Sequence, residues 1–131
     1  MTDAMNMKKT LSGDFDDAID RVTAALKTEG FGVLTEIDVQ RTLEQKLGVS
    51  FRRYRILGAC NPPFAHQALG SDLMAGLMMP CNVIVYQEDD GTVTVIAGDP
   101  VSVAGATGNA QLGALAGTIR AKLERVMAAL A

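Results

Sequence analysis

The sequence predicts an α+β domain in which a curved, mostly antiparallel sheet of about five strands carries two long helices on one face. Two stretches near the ends of the chain repeat apolar residues at three-and-four spacing, as amphipathic helices do. Short runs rich in β-branched residues lie between them. The pair Asp90-Gly91 joins the last two runs and is typical of a hairpin turn. Strands joined by hairpins pair antiparallel, which gives the sheet its predicted character.

The chain opens with a strand and a long helix. Met7 to Ser12 is predicted as the first strand. A helix then runs to about Glu29, capped by Ser12 or Asp14, and the acidic residues of its first turn suit the helix dipole. Its apolar residues lie on one side, namely Phe15, Ile19, Val22 and Leu26. Gly30 is predicted to end the helix in a left-handed conformation.

A second strand, a short helix and a third strand follow. Phe31 to Ile37 has the alternation of a strand. Asp38 is predicted to cap a short helix that Gly48 closes. Val49 to Gly58 is predicted as the third strand. Its Arg and Tyr residues alternate poorly with apolar ones, which places it near an edge or beside a polar groove.

The middle of the chain is predicted to hold a short helix and a hairpin. Pro62 suits the first turn of a helix that reaches Leu69. Ser71 to Pro80 is a Met-rich connector with room for a further helical turn. Cys81 to Gln87 and Thr92 to Gly98 are predicted as the two strands of the hairpin.

The last part of the chain is predicted as a loop followed by a helix. Asp99 to Gly108, rich in small residues, is the loop, and Asn109 caps a helix from Ala110 to about Ala129. No linker or repeat divides the chain, so residues 7–131 are predicted as one domain and residues 1–6 as a frayed tail. The two long helices should cover one face of the sheet. The other face then needs water, a partner chain or a ligand.

Composition and charge exclude several classes of protein. The 131-residue chain has a net charge of −3, which argues against a nucleic-acid partner, because such proteins carry basic faces that neutralise phosphates. Neither a signal peptide nor an apolar run of membrane-spanning length is visible, so a soluble, cytoplasmic protein is predicted, with no membrane partner. No cofactor motif is present, and no cofactor is predicted. With one His, an acid–base enzyme is the least supported class.

Two cysteines define the predicted site. Cys60 lies at the end of the third strand, directly before the helix start at Asn61-Pro62, where unpaired N–H groups favour a thiolate. Cys81 begins the fourth strand. If these two strands pair antiparallel, both thiols lie at the same end of the sheet, each followed by an Asn whose amide can donate to a thiolate or a ligand. The predicted site residues are Gly58, Cys60, Asn61, Pro62, His66, Pro80, Cys81 and Asn82.

Three interpretations of this site stay open from the residues alone. The first is a non-enzymatic ligand-binding or interaction protein, a homodimer that holds a small apolar or anionic ligand near Cys60 and Cys81. The second is a thiol-dependent redox or soft-metal-binding protein centred on Cys60, with His66 and nearby methionines as further ligands. In the third, the cysteines are ordinary core residues, since free Cys packs as a small hydrophobe. Their spacing fits no standard zinc site.

Two motifs, Gly58-Ala59-Cys60-Asn61-Pro62 and Met79-Pro80-Cys81-Asn82-Val83, and the distance between them resemble a prokaryotic family known as domain of unknown function 302. The resemblance runs from about Lys8 to Leu130. It implies a β-α-β-β-β-β-α layout similar to the TATA-binding-protein-like fold class, and assembly as a homodimer. The family brings no established activity, so no catalytic residue follows from it. The likeness in fold does not imply DNA binding.

Overall fold

A computed structural model describes residues 7–130 of the chain. The elements, in chain order, are β1 (Lys8–Leu11), α1 (Phe15–Thr28), β2 (Gly32–Asp38), α2 (Val39–Leu47), β3 (Tyr54–Cys60), α3 (Pro62–Ser71), a 3-10 helix (Leu73–Met78), β4 (Cys81–Gln87), β5 (Val93–Ala97), α4 (Pro100–Gly105) and α5 (Ala110–Ala129). The tail predicted at residues 1–6 lies outside the described residues. No helix within residues 7–130 has both the length and the apolar character needed to cross a membrane.

Within the described part of the chain, five strands form one sheet in the order β1-β5-β4-β3-β2. Every neighbouring pair is antiparallel, which confirms the predicted α+β class and sheet. The β4–β5 hairpin turns at Gly91, whose φ of 88° is the left-handed conformation expected of an Asp-Gly turn. The edge strand β2 carries a bulge between Val33 and Thr35, an irregularity that discourages further strand pairing at an open edge.

The main core lies between one face of the sheet and the two long helices α1 and α5. Helix α1 starts at Phe15 because the Asp14 carboxylate accepts a hydrogen bond from the Asp17 N–H at 3.2 Å. Helix α5 starts in the same way at Asn109, which accepts from two backbone N–H groups. The two helices contribute Phe15, Val22, Leu26, Leu123 and Val126 to the core, and the sheet contributes Leu57, Val83, Val85, Val93 and Val95.

A row of four isoleucines crosses the opposite face of the sheet. Ile37 pairs with Ile56, Ile56 with Ile84, and Ile84 with Ile96, and directly paired residues project from the same face. They alternate along the strands with the buried core residues, so this isoleucine row faces away from the core. Ile37 is 48% exposed and the other three are partly exposed. Beside the row, the rings of Tyr54 and Tyr86 stack 5.4 Å apart.

The third strand differs from the prediction at both ends. It was predicted over Val49–Gly58, but β3 covers Tyr54–Cys60. Pairing sets these bounds: β2 ends at Asp38, opposite Arg55, and the last bond on the other side joins the Gln87 N–H to the Arg53 carbonyl. Residues 49–52 therefore have no neighbouring strand, and β3 continues to Cys60 because Gly32 of β2 lies opposite it.

Two further elements were predicted incorrectly or only in outline. The segment Asp99–Gly108, predicted as a loop, contains helix α4, because the Asp99 carboxylate accepts from the Val101 N–H at 2.9 Å and Pro100 stands at the first helical position. The Met-rich connector contains the 3-10 helix, whose Ala75 is buried against Ala68 and Leu112 in a second, smaller core. This second core joins α3, the 3-10 helix and α5 at one end of the sheet.

Candidate functional site

The two cysteines lie at one end of the sheet. Strands β3 and β4 are antiparallel, and Ala59 is directly opposite Cys81, so Cys60 is one residue beyond that pair. This confirms the prediction that the two thiol-bearing residues share an end of the sheet. Both are free thiols with intermediate burial. Their side chains therefore belong to one local environment rather than to two separate parts of the core.

An apolar cavity opens between this end of the sheet, α3, the 3-10 helix and α5. It has a volume of about 80 Å³ and is referred to below as the inner cavity. Its walls include Phe31, Phe64, Met78, Leu112, Leu115 and Ile119, and Cys60, Cys81 and Asn61 complete the lining on the sheet side. A cavity needs about 10–15 Å³ of such space to hold one water molecule. The inner cavity is several times larger than that and is apolar almost throughout.

Burial controls the chemistry of Cys81. Burial raises the pKa of the Cys81 thiol, and the neighbouring Cys60 raises it further, because a second thiolate would be repelled by the first. At neutral pH Cys81 is therefore a neutral, weakly polar surface of the cavity. A reactive cysteine needs the opposite shift, towards the thiolate at low pH. The environment of Cys81 thus suits a packing role in the cavity wall.

Asn61 fixes the start of helix α3. It occupies the N-cap position, but its side chain makes no capping bond. Instead its Nδ2 donates to the backbone carbonyl of Glu29 at 3.1 Å, and the residue is 7% exposed. This bond joins the C-terminal end of α1 to the strand β3–helix α3 junction. The amide NH2 has two donors and this bond uses one of them, so the predicted donation to a thiol or ligand stays a prediction.

A second hollow adjoins the inner cavity. This outer groove, about 350 Å³, is lined by Leu77, Pro80, Asn82, Gly98, Asp99 and Val103, and it shares Met78, Met79, Cys81 and Pro100 with the inner cavity. Gly58 is buried beneath it, and a Cβ at Gly58 would lie 2.8 Å from Cγ of Pro80. Pro80 and Asn82 therefore belong to the groove, while Gly58 supports its floor.

Besides Gly58, two more of the predicted site residues do not line either hollow. Pro62 stands at the first position of α3 and is exposed, as is His66 on the same helix. Among residues 7–130 no cluster of three or more His, Cys, Asp or Glu side chains is arranged to hold a metal ion. The described geometry therefore offers the soft-metal interpretation no ligand set beyond the two thiols and the nearby methionines.

An ion pair beside the outer groove was not predicted. The Asp99 carboxylate accepts from Nη1 of Arg120 at 2.6 Å and from Ser102 Oγ at 3.0 Å. Burial alone would raise the pKa of Asp99, but the hydrogen bonds from Arg120, Val101 and Ser102 lower it overall. The Asp99-Pro100 pair was a readable sign of a capped helix start, but nothing local indicated the partner Arg120, which lies on α5.

The fold and the site define an α+β protein with an antiparallel sheet backed by two long helices and an apolar cavity at one sheet end. The chain belongs to the family described as Domain of unknown function DUF302, whose model matches residues 7–130. A solved relative is the uncharacterized conserved protein DUF302 from Bacillus stearothermophilus. It superposes with a TM-score of 0.85 at 32% sequence identity, over 92% of this chain and 94% of that chain. A search of curated proteins finds no match.

Proposed function

We propose that this protein binds a small apolar molecule, or the apolar part of a larger one, in the inner cavity. The observation that carries the proposal is the cavity itself: about 80 Å³ of space beside the core, walled by aromatic and aliphatic side chains. Well-packed interiors contain few voids larger than a water molecule. An apolar hollow takes up an apolar guest because burying the guest removes apolar surface from water.

The thiol chemistry of the second interpretation has less support from the geometry. Both cysteines border the cavity, and the raised pKa of Cys81 disfavours a thiolate at that residue, so thiol chemistry would have to rest on Cys60 without Cys81 as a second thiolate. The same observation fits a ligand-binding wall, because a neutral thiol packs against apolar groups. We therefore assign Cys81 to the wall of the binding site.

The binding proposal is tested with a substitution that fills the cavity. Ala116 lies on α5, is 6% exposed and lines the inner cavity, so Ala116→Leu places three additional carbons in the space. Ala121→Leu is the matched control, because Ala121 lies on the same helix but is exposed. The protein and both variants are purified from the native host, and the small molecules released on denaturation are compared by mass spectrometry. We expect a compound present with wild type and Ala121→Leu and absent with Ala116→Leu.

Overpacking costs about 1–3 kcal/mol, so the fold of each variant is checked by thermal unfolding followed by circular dichroism. Ala65→Leu fills the same space from α3 and gives an independent variant if Ala116→Leu fails to fold. Identical extracts from all proteins, together with no response of wild type to added n-hexane in methionine-methyl NMR spectra, would contradict binding in the cavity.

We also propose that the protein forms a homodimer through the isoleucine row. The row, Ile37, Ile56, Ile84 and Ile96, is apolar and meets Lys8 only at its β1 end, opposite Ile96. Two copies can pack face to face across a twofold axis, since such an interface pairs a surface with itself. Five strands of four to seven residues, spaced about 4.8 Å apart, give a face of roughly 500 Å² in plan. With the flanking side chains this approaches the roughly 800 Å² per partner of a standard interface.

Ile84, in the central strand β4, tests the dimer. We expect wild type to sediment at twice the chain mass of 13.8 kDa and Ile84→Glu at the mass of one chain, because the carboxylate would be buried without a partner. The control is Leu73→Glu on the 3-10 helix, where the side chain is 85% exposed, and it should remain dimeric. A monomeric wild type at 100 μM, or dissociation by Leu73→Glu alone, would exclude the isoleucine row as the interface.

A further inference from the structure

We propose that the ligand is amphipathic: its apolar part occupies the inner cavity, and an uncharged hydrogen-bonding head group lies in the outer groove beside Asn82. This inference rests on the proposed function, since it names the class of molecule that the inner cavity takes. The head group we propose carries neither a carboxylate nor a phosphate.

The two hollows are neighbours with a thin, apolar boundary. They share Met78, Met79, Cys81 and Pro100, so one short stretch of chain and one proline separate them. Met78 and Met79 are partly buried. Methionine side chains are unbranched and flexible and adapt to irregular neighbours. A molecule that extends from one hollow to the other would pass along these two methionine side chains.

The rim of the outer groove favours an apolar chain on its way in. Leu77 is 82% exposed and Val103 is 49% exposed, and both line the groove. Large aliphatic side chains that remain this exposed beside a hollow are typical of ligand-binding and interaction surfaces. A purely polar ligand would gain nothing from these two side chains.

The polar groups of the outer groove determine the head group. Asn82 is exposed, lines the groove and offers both a donor and an acceptor. Asp99 is the other polar side chain of the lining, and its carboxylate is already bonded to Arg120, Val101 and Ser102. Among residues 7–130 no Lys or Arg lines the groove, so an anionic head would lose water without gaining a counter-charge from these residues. A hydroxyl or an amide loses much less hydration energy, and it can hydrogen-bond to the donor and the acceptor of the Asn82 side chain.

Three probes with the same chain length separate these possibilities: 1-hexanol, hexanoate at pH 8 and n-hexane. Binding is followed in wild type by NMR of ¹³C-labelled methionine methyl groups, because Met78 and Met79 border both hollows. We expect hexanol to bind at least about tenfold more tightly than hexanoate. Asn82→Leu should weaken hexanol binding about fivefold through loss of one hydrogen bond and leave hexane binding unchanged. Gln87→Leu, the same change at the other end of β4, should affect neither.

The outcomes distinguish this inference from the proposal on which it rests. If hexane and hexanol bind but Asn82→Leu weakens both or neither, the assignment of the head group to Asn82 is overturned while the inner cavity remains a binding site. Tighter binding of hexanoate overturns the uncharged head. If none of the three probes shifts the methyl signals of Met78 or Met79, the inner cavity does not take apolar chains and both proposals fail.

Discussion

Replacing Gly58 with alanine is expected to lower the free energy of unfolding by about 2–3 kcal/mol. A Cβ at this position would overlap Oγ1 of Thr35 and lie 2.8 Å from Cγ of Pro80, closer than the van der Waals radii of these atoms allow. The Thr35 hydroxyl can rotate away, but the proline ring is tied to the backbone before β4. Either Pro80 must move, which disturbs the outer groove, or β3 must shift against β4 at the residues that precede Cys60.

Gly32→Ala provides the matched control for Gly58→Ala. Gly32 is also a strand glycine and pairs with Cys60. A Cβ there would meet open space, with nothing within 4 Å beyond its chain neighbours. We expect a change within about 0.5 kcal/mol. Urea unfolding followed by circular dichroism gives both values, since the chain has no Trp. Equal effects of the two substitutions would show that the contact between the added Cβ and the Pro80 ring does not destabilise the protein. Adding Thr35→Ala to Gly58→Ala should recover only part of the loss.

Local signals in the sequence were sufficient for much of the fold. Asp14 and Gly30 mark the ends of α1, Asn109 marks the start of α5, and Asp90-Gly91 marks the hairpin. Each of these signals acts within a few residues of its own position, through a cap or a left-handed turn. For this reason the long helices and the last two strands could be predicted without knowledge of their neighbours.

The bounds of β3 could not be predicted in this way, because they depend on the lengths of its partners. Strand β4 stops where its hairpin begins, and β2 stops at Asp38. Residues 49–52 therefore have no neighbouring strand to pair with. Helix α4 illustrates a different difficulty. Its small residues resemble a loop, and only the Asp99-Pro100 pair indicates a helix.

The position of the candidate site could be predicted from the sequence, but most of the residues that form the cavity walls could not. The common end for Cys60 and Cys81 was predicted on the condition that β3 and β4 pair antiparallel, and the structure meets that condition. The walls of the inner cavity come from distant elements: Leu112 and Ile119 appeared in the sequence only as members of a helical stripe. Nothing local distinguishes a stripe residue that faces the sheet from one that faces a cavity. Whether the predicted residues bind a ligand stays a prediction.

Asn61→Asp is expected to lower the free energy of unfolding by about 2–3 kcal/mol at pH 7. The Asn61 amide donates to the Glu29 carbonyl at 3.1 Å. An ionised carboxylate in its place has no proton to donate, so two acceptors would face each other. The position is nearly buried, so water could not compensate for the lost bond. Because burial disfavours the charged form, the folded-state pKa of the introduced acid should lie above its unfolded value near 4. The loss in free energy of unfolding relative to wild type should therefore be largest at neutral pH and become smaller as pH falls and the acid is protonated.

Asn61→Ala separates the lost hydrogen bond from the added charge. It removes the donor without adding a charge, so we expect a loss of about 1 kcal/mol that depends little on pH. The measurement is urea unfolding of both variants and wild type at pH 7 and pH 4. The expectation would be contradicted if Asn61→Asp were as stable as wild type at pH 7. The carboxylate would then have turned away from Glu29 to cap α3, where the helix dipole favours it. The bond from Asn61 to Glu29 would in that case be dispensable to the junction that closes the inner cavity.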